Sequence, residues 1–209
     1  MKCPHCMVHF HDNWQKGGIH RSGQSTGWDY LTAMCPACDK LTIEIEDPQT
    51  KTRMIYPPGA SRGPIAPQVP AEIAIDYVEA CNVLPTSAKA SAALSRRCLQ
   101  NILRAHGYRG RDLAAEIDML LNETDASKAV PQTLRVTIDG VRNFGNFSAH
   151  PITDVTTLQL IDVEEHEAEW CLEILEEAFQ HFYVRPVEAA ARKAALNAKL
   201  AAAGKPRSK

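Results

Sequence analysis

Residues 140–151 read Gly-Val-Arg-Asn-Phe-Gly-Asn-Phe-Ser-Ala-His-Pro. Together with the residues just before it, this stretch follows the period of an amphipathic helix, which we place at residues 131–149. Four polar residues at steps of four, three and four share one face of that helix: Asp139, Asn143, Asn146 and His150. Four apolar residues take the opposite face: Leu134, Ile138, Val141 and Phe144. The pattern predicts a helix that packs by its apolar side and presents amides and an imidazole on the other.

Two glycines lie inside this helix, although glycine costs about 1 kcal/mol relative to alanine in a helix interior. Gly140 and Gly145 are therefore expected where another backbone comes close. His150 is expected at the helix end, because Pro151 disfavours helical geometry in the residue before it. We expect a homodimer through the part of the helix that carries Gly145, Asn146 and His150.

Helical periodicity runs through the rest of residues 71–185. The earlier helices are predicted at residues 71–81, 85–105 and 112–122. A further helix begins after Asp162 and is interrupted by Pro186. Its predicted buried residues are Trp170, Ile174, Ala178 and Phe182. Three acidic residues of the first helix are expected on a solvated face: Glu72, Asp76 and Glu79. Because the connections are short, the expected fold is mostly α, an antiparallel helical bundle preceded by a small β lobe.

Residues 1–56 contain two C-x-x-C motifs, Cys3-Pro4-His5-Cys6 and Cys35-Pro36-Ala37-Cys38. Two such turns can offer four thiolates to one tetrahedral metal ion. The motifs therefore predict a structural Zn2+ centre in a zinc ribbon, with four ligands: Cys3, Cys6, Cys35 and Cys38. Because so small a lobe lacks a large core, the metal would supply the missing folding free energy. Alternation of apolar and polar residues at 41–46 is typical of a half-exposed strand.

Other uses of these cysteines fit less well. A disulfide pair is unusual in a cytosolic protein, a redox C-x-x-C needs one motif only, and a catalytic zinc keeps a position that four thiolates close. Replacement of one thiolate by a histidine stays open, although the nearby histidines are expected at the surface: His5, His9, His11 and His20. The remaining cysteines are expected to be small buried hydrophobes: Cys81, Cys98 and Cys171.

The ends of the helical part differ from it in composition. Five prolines and two glycines in residues 57–70 predict a semi-stiff linker and a domain boundary. Residues 186–209 form a basic, alanine-rich tail behind an acidic middle segment, and a helix is expected at 188–203. No apolar run approaches the roughly 20 residues that cross a bilayer. A cytoplasmic protein without membrane contact is therefore expected.

Two motifs of the helical part resemble the family of the domain of unknown function 4145. The stretch Leu94-Ser95-Arg96-Arg97-Cys98-Leu99-Gln100 is similar to the family's Leu-x-Arg-x-x-Leu-Glu, with glutamine in the last position. The second motif, residues 142–150, is similar throughout to Arg-x-x-Gly-Asn-x-x-x-His. The resemblance covers about residues 70–185 and implies a HEPN-like helical bundle. Such domains are often joined to zinc knuckles or to nuclease and defence modules.

Several HEPN bundles are metal-independent ribonucleases, and the resemblance therefore implies a catalytic reading of the second motif. His150 would be the acid or base, Arg142 would neutralise the phosphorane, and Asn146 would position the substrate. Seven residues separate Arg142 from His150, where those enzymes have four to six. The two side chains thus lie about 80° apart around an ideal helix. The same residues can instead form a polar network that serves structure or an interface.

The preferred functional hypothesis is a zinc-containing binding or assembly module in a nucleic-acid-related process such as anti-phage defence. It would act as a homodimer and contact RNA or DNA. The first alternative is a metal-independent endoribonuclease that uses Arg142 and His150. The second is an adaptor that binds a protein partner and no nucleic acid, which the absence of salt-dependent nucleic-acid binding would distinguish.

Overall fold

The chain forms two compact units, which are described separately. The computed structural model describes residues 1–11, 13–58, 62–149, 152–153 and 160–208; for residues 145–149, 152–153 and 160–161 it describes the backbone alone. One unit comprises Met1–Ile65 with Cys81–Ser87. The other comprises Ala66–Ala80 with Ala88–Lys209.

The first unit is built on a four-stranded antiparallel sheet in which each strand pairs with the next along the chain. The strands are β1 (Gln15–Arg21), β2 (Gln24–Met34), β3 (Leu41–Glu46) and β4 (Thr52–Tyr56). The alternating stretch at 41–46 therefore forms the predicted strand. Gly63, within the stretch predicted as a linker, lies so close to the side chain of Met7 that a Cβ would have no room.

The rest of the chain is mainly helical. Its helices are α1 (Ala71–Val83), α2 (Ala88–Ala105), α3 (Leu113–Leu121), α4 (Gln132–Ala149), α5 (Glu165–Phe179) and α6 (Arg185–Ala202). A two-residue pair of strands, β5 (Ile152–Thr153) and β6 (Leu160–Ile161), lies between α4 and α5. The coarse prediction of a small β lobe followed by helices is confirmed. Within the described ranges, every helix is too short or too polar to cross a bilayer.

Helix α2 is central to the second unit and contacts α3, α4 and α5. Its apolar stripe includes Leu99, Ile102 and Leu103, all fully buried. The apolar face predicted for α4 is confirmed at three buried positions: Leu134, Ile138 and Val141. Full burial of one such side chain stabilises the fold by roughly 1.5–3 kcal/mol. The predicted burial of Cys81, Cys98 and Cys171 is also confirmed.

Pro186 does not interrupt the last helical segment, and that prediction is wrong. A π-helical turn, Gln180–Val184, joins α5 directly to α6, and Pro186 lies in the first turn of α6. Proline is tolerated there because the amides of a first turn have no carbonyl partner within their own helix. The Arg185 amide donates to the Gln180 carbonyl, five residues back, so that helical hydrogen bonding continues from the π-helical turn into α6.

Trp170 does not belong to the buried stripe of α5, since 38% of it is exposed. Ile174 and Ala178 are buried as predicted, whereas Phe182 lies in the π-helical turn and is half-buried. The Trp170 ring packs against Gly140, where an added Cβ would lie 2.9 Å from its nearest carbon. The glycine is thus explained by close approach of an indole ring and not of a backbone.

The predicted solvated acidic face of α1 is wrong at Asp76, which is buried. Its two carboxylate oxygens accept hydrogen bonds from Arg97 at 2.6 Å and from Asn101 at 3.0 Å. Glu79 is exposed and lies 3.4 Å from the same guanidinium. Helical spacing alone predicts three equivalent carboxylates, but packing against α2 makes one of them an internal hydrogen-bond acceptor.

Glu116 is a second carboxylate inside the helical unit, and its side chain is 0% exposed. One oxygen accepts a hydrogen bond from Arg104 at 2.6 Å. The other has no hydrogen-bond partner among the described residues. The Arg104 side chain is 45% exposed, so only the Glu116 side of the pair is buried, and removal of the arginine would leave that carboxylate desolvated without its partner.

Substitution Arg104→Met should therefore lower the free energy of unfolding by about 2–3 kcal/mol, the cost of an unpaired buried charge. Chemical denaturation of the full chain measures this change. The control is Arg111→Met, which removes an exposed pair with Asp112 and should leave the midpoint unchanged. Equal midpoints for the two variants would show that the Arg104–Glu116 pair does not stabilise the fold.

Candidate functional site

The two C-x-x-C motifs fold into turns with matching backbone hydrogen bonds. In the first turn the Met7 amide donates to the Cys3 carbonyl at 2.9 Å, and in the second the Asp39 amide donates to the Cys35 carbonyl at 2.9 Å. The φ angles of Met7 and Asp39 are both in the left-handed region, at 63° and 55°. The two motifs are therefore structural copies that present their cysteines alike.

Backbone amides also point at the sulfur atoms. The His5 amide donates to the Cys3 Sγ at 3.4 Å. The other three cysteines accept from the amide two residues further along the chain, namely Val8, Ala37 and Lys40. Such hydrogen bonds favour the negatively charged form of an acceptor. The turns thus favour thiolates, the form of cysteine that binds metals.

The four sulfur atoms converge on one point. The Sγ atoms of Cys3 and Cys38 are 3.7 Å apart, those of Cys6 and Cys35 are 3.8 Å apart, and all four lie within 4.8 Å of one another. Sulfurs at about 2.3 Å from a tetrahedral metal would be about 3.8 Å from each other. A disulfide requires about 2.05 Å, and all four cysteines are free. The donor set therefore fits a single thiolate-bound metal ion.

The thiols of Cys35 and Cys38 differ in pKa. Burial raises the pKa of Cys35, but hydrogen bonds from the Ala37 and Cys38 amides and from neighbouring thiols lower it to about 7. Burial and hydrogen bonds to the other thiols raise the pKa of Cys38 to about 12, although the Lys40 amide lowers it. Neighbouring thiols therefore resist joint ionisation. A bound cation removes this conflict, because it favours every thiolate around it.

The nearby histidines do not join the four-cysteine cluster. His5 is half-buried, and its Nε2 lies 2.8 Å from the Leu41 carbonyl oxygen. His9, His11 and His20 are exposed. Among the described residues, the only cluster of three or more His, Cys, Asp or Glu side chains with metal-binding geometry consists of the four cysteines.

The polar face of α4 begins with a compact set of contacts. Asp139 accepts hydrogen bonds from Arg142 at 2.7 Å and from Asn143 at 3.0 Å, both through Oδ2. Arg142 therefore bonds to the polar face, although the angular estimate from sequence places it beside that face. The side chain of Asn146 and all of His150 lie outside the described residues. A catalytic grouping of Arg142, Asn146 and His150 stays a prediction.

Arg96 connects the two sequence motifs of the helical part. Its Nη1 reaches from α2 to the carbonyl oxygen of Arg142 on α4, at 2.9 Å. The sequence identifies Arg96 as part of a motif but does not indicate this partner, 46 residues away along the chain. The side chain thus braces α2 against the helix that carries the second motif.

These features define a β lobe with a four-cysteine cluster that fits a metal ion, followed by a helical unit, and comparison with protein families agrees for the helical part. Residues 78–200, more than half of the chain, match the family described as Domain of unknown function (DUF4145). The chain belongs to this family. No curated protein and no solved structure matches it.

Substitution Cys35→Ala should abolish metal binding and unfold the β lobe, because three thiolates cannot complete the shell. Elemental analysis should then find no bound metal, against one ion per chain in the wild type. Hydrogen exchange should show loss of protection in residues 1–56.

The matched control is Cys171→Ala in the helical unit. Burial raises the pKa of Cys171 to about 12, so that it stays protonated near neutral pH. The metal content of this variant should equal that of the wild type. A full complement of metal in Cys35→Ala would contradict the four-cysteine site.

Proposed function

We propose that this protein is a non-catalytic binding module in a nucleic-acid-related process, with a β lobe held together by structural Zn2+ and a HEPN-like helical unit. The observation that carries the proposal is the convergence of four cysteine sulfurs. Four thiolates complete a tetrahedral shell and leave no position for a substrate or an activated water. A metal so enclosed serves the fold of the lobe and the surface that it presents.

The composition of the lobe supports a structural role for the metal. Among the described residues of 1–58, the buried positions are Cys3, Pro4, Ala33, Cys35 and Thr42. Large aliphatic side chains, which form the core of the helical unit, are missing from this set. Without the metal the lobe would depend on a sheet that buries little apolar area. Zinc is the ion we propose because it prefers tetrahedral sulfur ligands and has no redox chemistry.

The exposure and positive charge of the C-terminal helix support the proposal of a polyanionic partner. Helix α6 buries none of its residues, and residues 184–209 contain seven Lys or Arg and one Glu. Arg185, Arg192 and Lys199 recur at steps of seven and therefore lie along one side of the helix. The carboxylate of Glu188 pairs with Arg192 at 2.8 Å, which leaves a strong positive excess. Such a row of cations suits the phosphates of a nucleic acid.

The contacts of Arg142 favour binding over ribonuclease chemistry. Its guanidinium is engaged by Asp139 on the same helix, and 30% of its side chain is exposed. To neutralise a phosphorane, this arginine would have to exchange the carboxylate for phosphate oxygens. The neighbouring contact from Arg96 to the Arg142 backbone is structural in character. We therefore propose that the motif of residues 142–150 maintains the helical unit or an interface.

The full-length zinc protein should bind a single-stranded RNA oligomer with an affinity that falls as salt rises, because phosphate contacts release counterions. Fluorescence anisotropy over a salt series measures this dependence. The same RNA should remain intact on a denaturing gel after incubation with the protein and a magnesium chelator.

Two results would count against this proposal. Cleavage that persists in chelator and is lost in His150→Ala would establish the ribonuclease alternative. Absence of salt-dependent binding to RNA and to DNA would favour the alternative of an adaptor that binds a protein partner.

We further propose that the protein is a homodimer through the C-terminal part of α4, which contains Gly145, Asn146 and, beyond it, His150. Sedimentation equilibrium should give twice the chain mass of 23.1 kDa. Asn146→Lys should shift the species to monomer by placing a charge in the interface. Thr133→Lys, at the exposed start of the same helix, should remain a dimer. A wild-type monomer at micromolar concentration would refute the dimer.

A further inference from the structure

The sheet of the β lobe has two faces of opposite character, and strand register assigns each residue to one of them. Residues paired across antiparallel strands point to the same side, as do residues two apart along a strand. Tyr30 is opposite Gly17 on one neighbouring strand and Ile45 on the other, and Ile45 is opposite Arg53. The register places Tyr30, Ile43, Ile45, Arg53 and Tyr56 on one side of the sheet, and Trp28, two residues before Tyr30 in β2, is assigned to the same side. We call these six residues the aromatic face.

The opposite side, called the acidic face here, carries the sheet's carboxylates. Asp29 is opposite Glu46, and Leu31 is opposite both Lys16 and Glu44. Lys16 lies 3.0 Å from the carboxylates of Asp29 and Glu46. Asp29, Glu44 and Glu46 are the only acidic residues in the four strands. The aromatic face therefore has the Arg53 guanidinium and no carboxylate.

Three aromatic rings on the aromatic face are accessible. Trp28 and Tyr30 are each 44% exposed, and Tyr56 is 47% exposed. The Tyr30 ring extends across β1 and occupies the space over Gly17, where a Cβ would collide with it. An aromatic ring that covers a strand glycine in this way is supported on one side. The other side of the Tyr30 ring is exposed and can stack against another planar group.

The spacing of these rings suits successive bases. Trp28 and Tyr30 are two residues apart on one strand, which places them about 7 Å from each other. Single-stranded nucleic acids bind proteins through bases stacked on aromatic side chains beside cations that contact the phosphates. Arg53 lies two strands from Tyr30, at about 10 Å, on the same face. A duplex cannot use this arrangement, because its bases are already stacked on one another.

We propose that the aromatic face is a binding surface for single-stranded nucleic acid, with bases stacked on Tyr30 and Trp28 and a phosphate at Arg53. The inference rests on the proposed function and assigns its contact surface. The acidic face repels a polyanion, so that charge selects the side on which the strand is bound. This surface includes no residue of the motif at 142–150 and none of α4.

The first test measures binding of a labelled ten-nucleotide oligouridine to the full-length zinc protein. Tyr30→Leu removes the ring but keeps apolar bulk over Gly17, and should weaken binding about tenfold through loss of one base stack. Tyr30→Phe keeps the ring and should bind within about twofold of the wild type. The metal content of each variant verifies that the lobe is folded. Oligothymidine tests DNA in the same way, and a duplex of equal length should bind at least tenfold more weakly.

A second test compares equal charge changes on the two faces. Arg53→Gln should weaken binding and reduce the slope of log K against log salt by about 0.7, the value for one phosphate contact of a single strand. Lys16→Gln removes one positive charge from the acidic face and should leave the slope unchanged. Quenching of tryptophan fluorescence by the oligomer should be lost in Trp28→Phe, although Trp14 and Trp170 remain.

The outcomes separate this inference from the proposed function. If the wild type binds the oligomer but Tyr30→Leu and Arg53→Gln bind equally well, the aromatic face is not the contact surface and the proposed function stands. If Lys16→Gln and Arg53→Gln lower the slope equally, the assignment of faces is overturned. If the wild type binds neither oligouridine nor oligothymidine, both proposals fail, and a protein ligand for the exposed rings replaces them.

Discussion

The β lobe depends on the meeting of four sulfur atoms from two turns that are far apart in sequence. Each turn closes through its own backbone hydrogen bonds, but the sheet between them buries little apolar area. A metal ion bound by these sulfurs would join the two turns and take the place of a hydrophobic core. The sheet exposes Trp28, Tyr30 and Tyr56 instead of burying them. We therefore attribute the stability of the lobe to the cysteines and its binding surface to the exposed aromatic residues.

The helical unit obtains its stability in the opposite way. Aliphatic side chains of α2, α4 and α5 fill its interior, and two carboxylates that enter it accept hydrogen bonds from side chains. Asp76 accepts hydrogen bonds from Arg97 and Asn101, and Glu116 accepts one from Arg104. Both carboxylates are thus anchored by residues of α2. Some acidic residues of the helical unit are therefore buried and hydrogen-bonded to α2, whereas others lie on the solvated surface.

The second motif of the helical unit shows how a catalytic pattern and a structural one can share residues. Arg142 and Asn143 are both tied to Asp139, and Arg96 holds the backbone of the same turn. The two Asp139 contacts lie within α4, and the Arg96 contact joins α4 to α2. A cation already balanced by a carboxylate is less available to a phosphate than the exposed, weakly balanced cations of α6. This contrast is why we propose binding and not catalysis.

The sequence by itself determined the helices that carry apolar stripes, the strand at 41–46 and the four clustered cysteines. The period of apolar residues and the spacing within each C-x-x-C motif depend directly on local backbone geometry. The sequence could not determine that Trp170 lies on Gly140, that Asp76 is internal, or that Pro186 follows a π-helical turn. Those outcomes depend on which helices pack together, and residues with equal spacing along one helix differ only in what faces them. The division of the sheet into aromatic and acidic faces was likewise decided by strand register. A shift of one residue would have exchanged the faces of a strand.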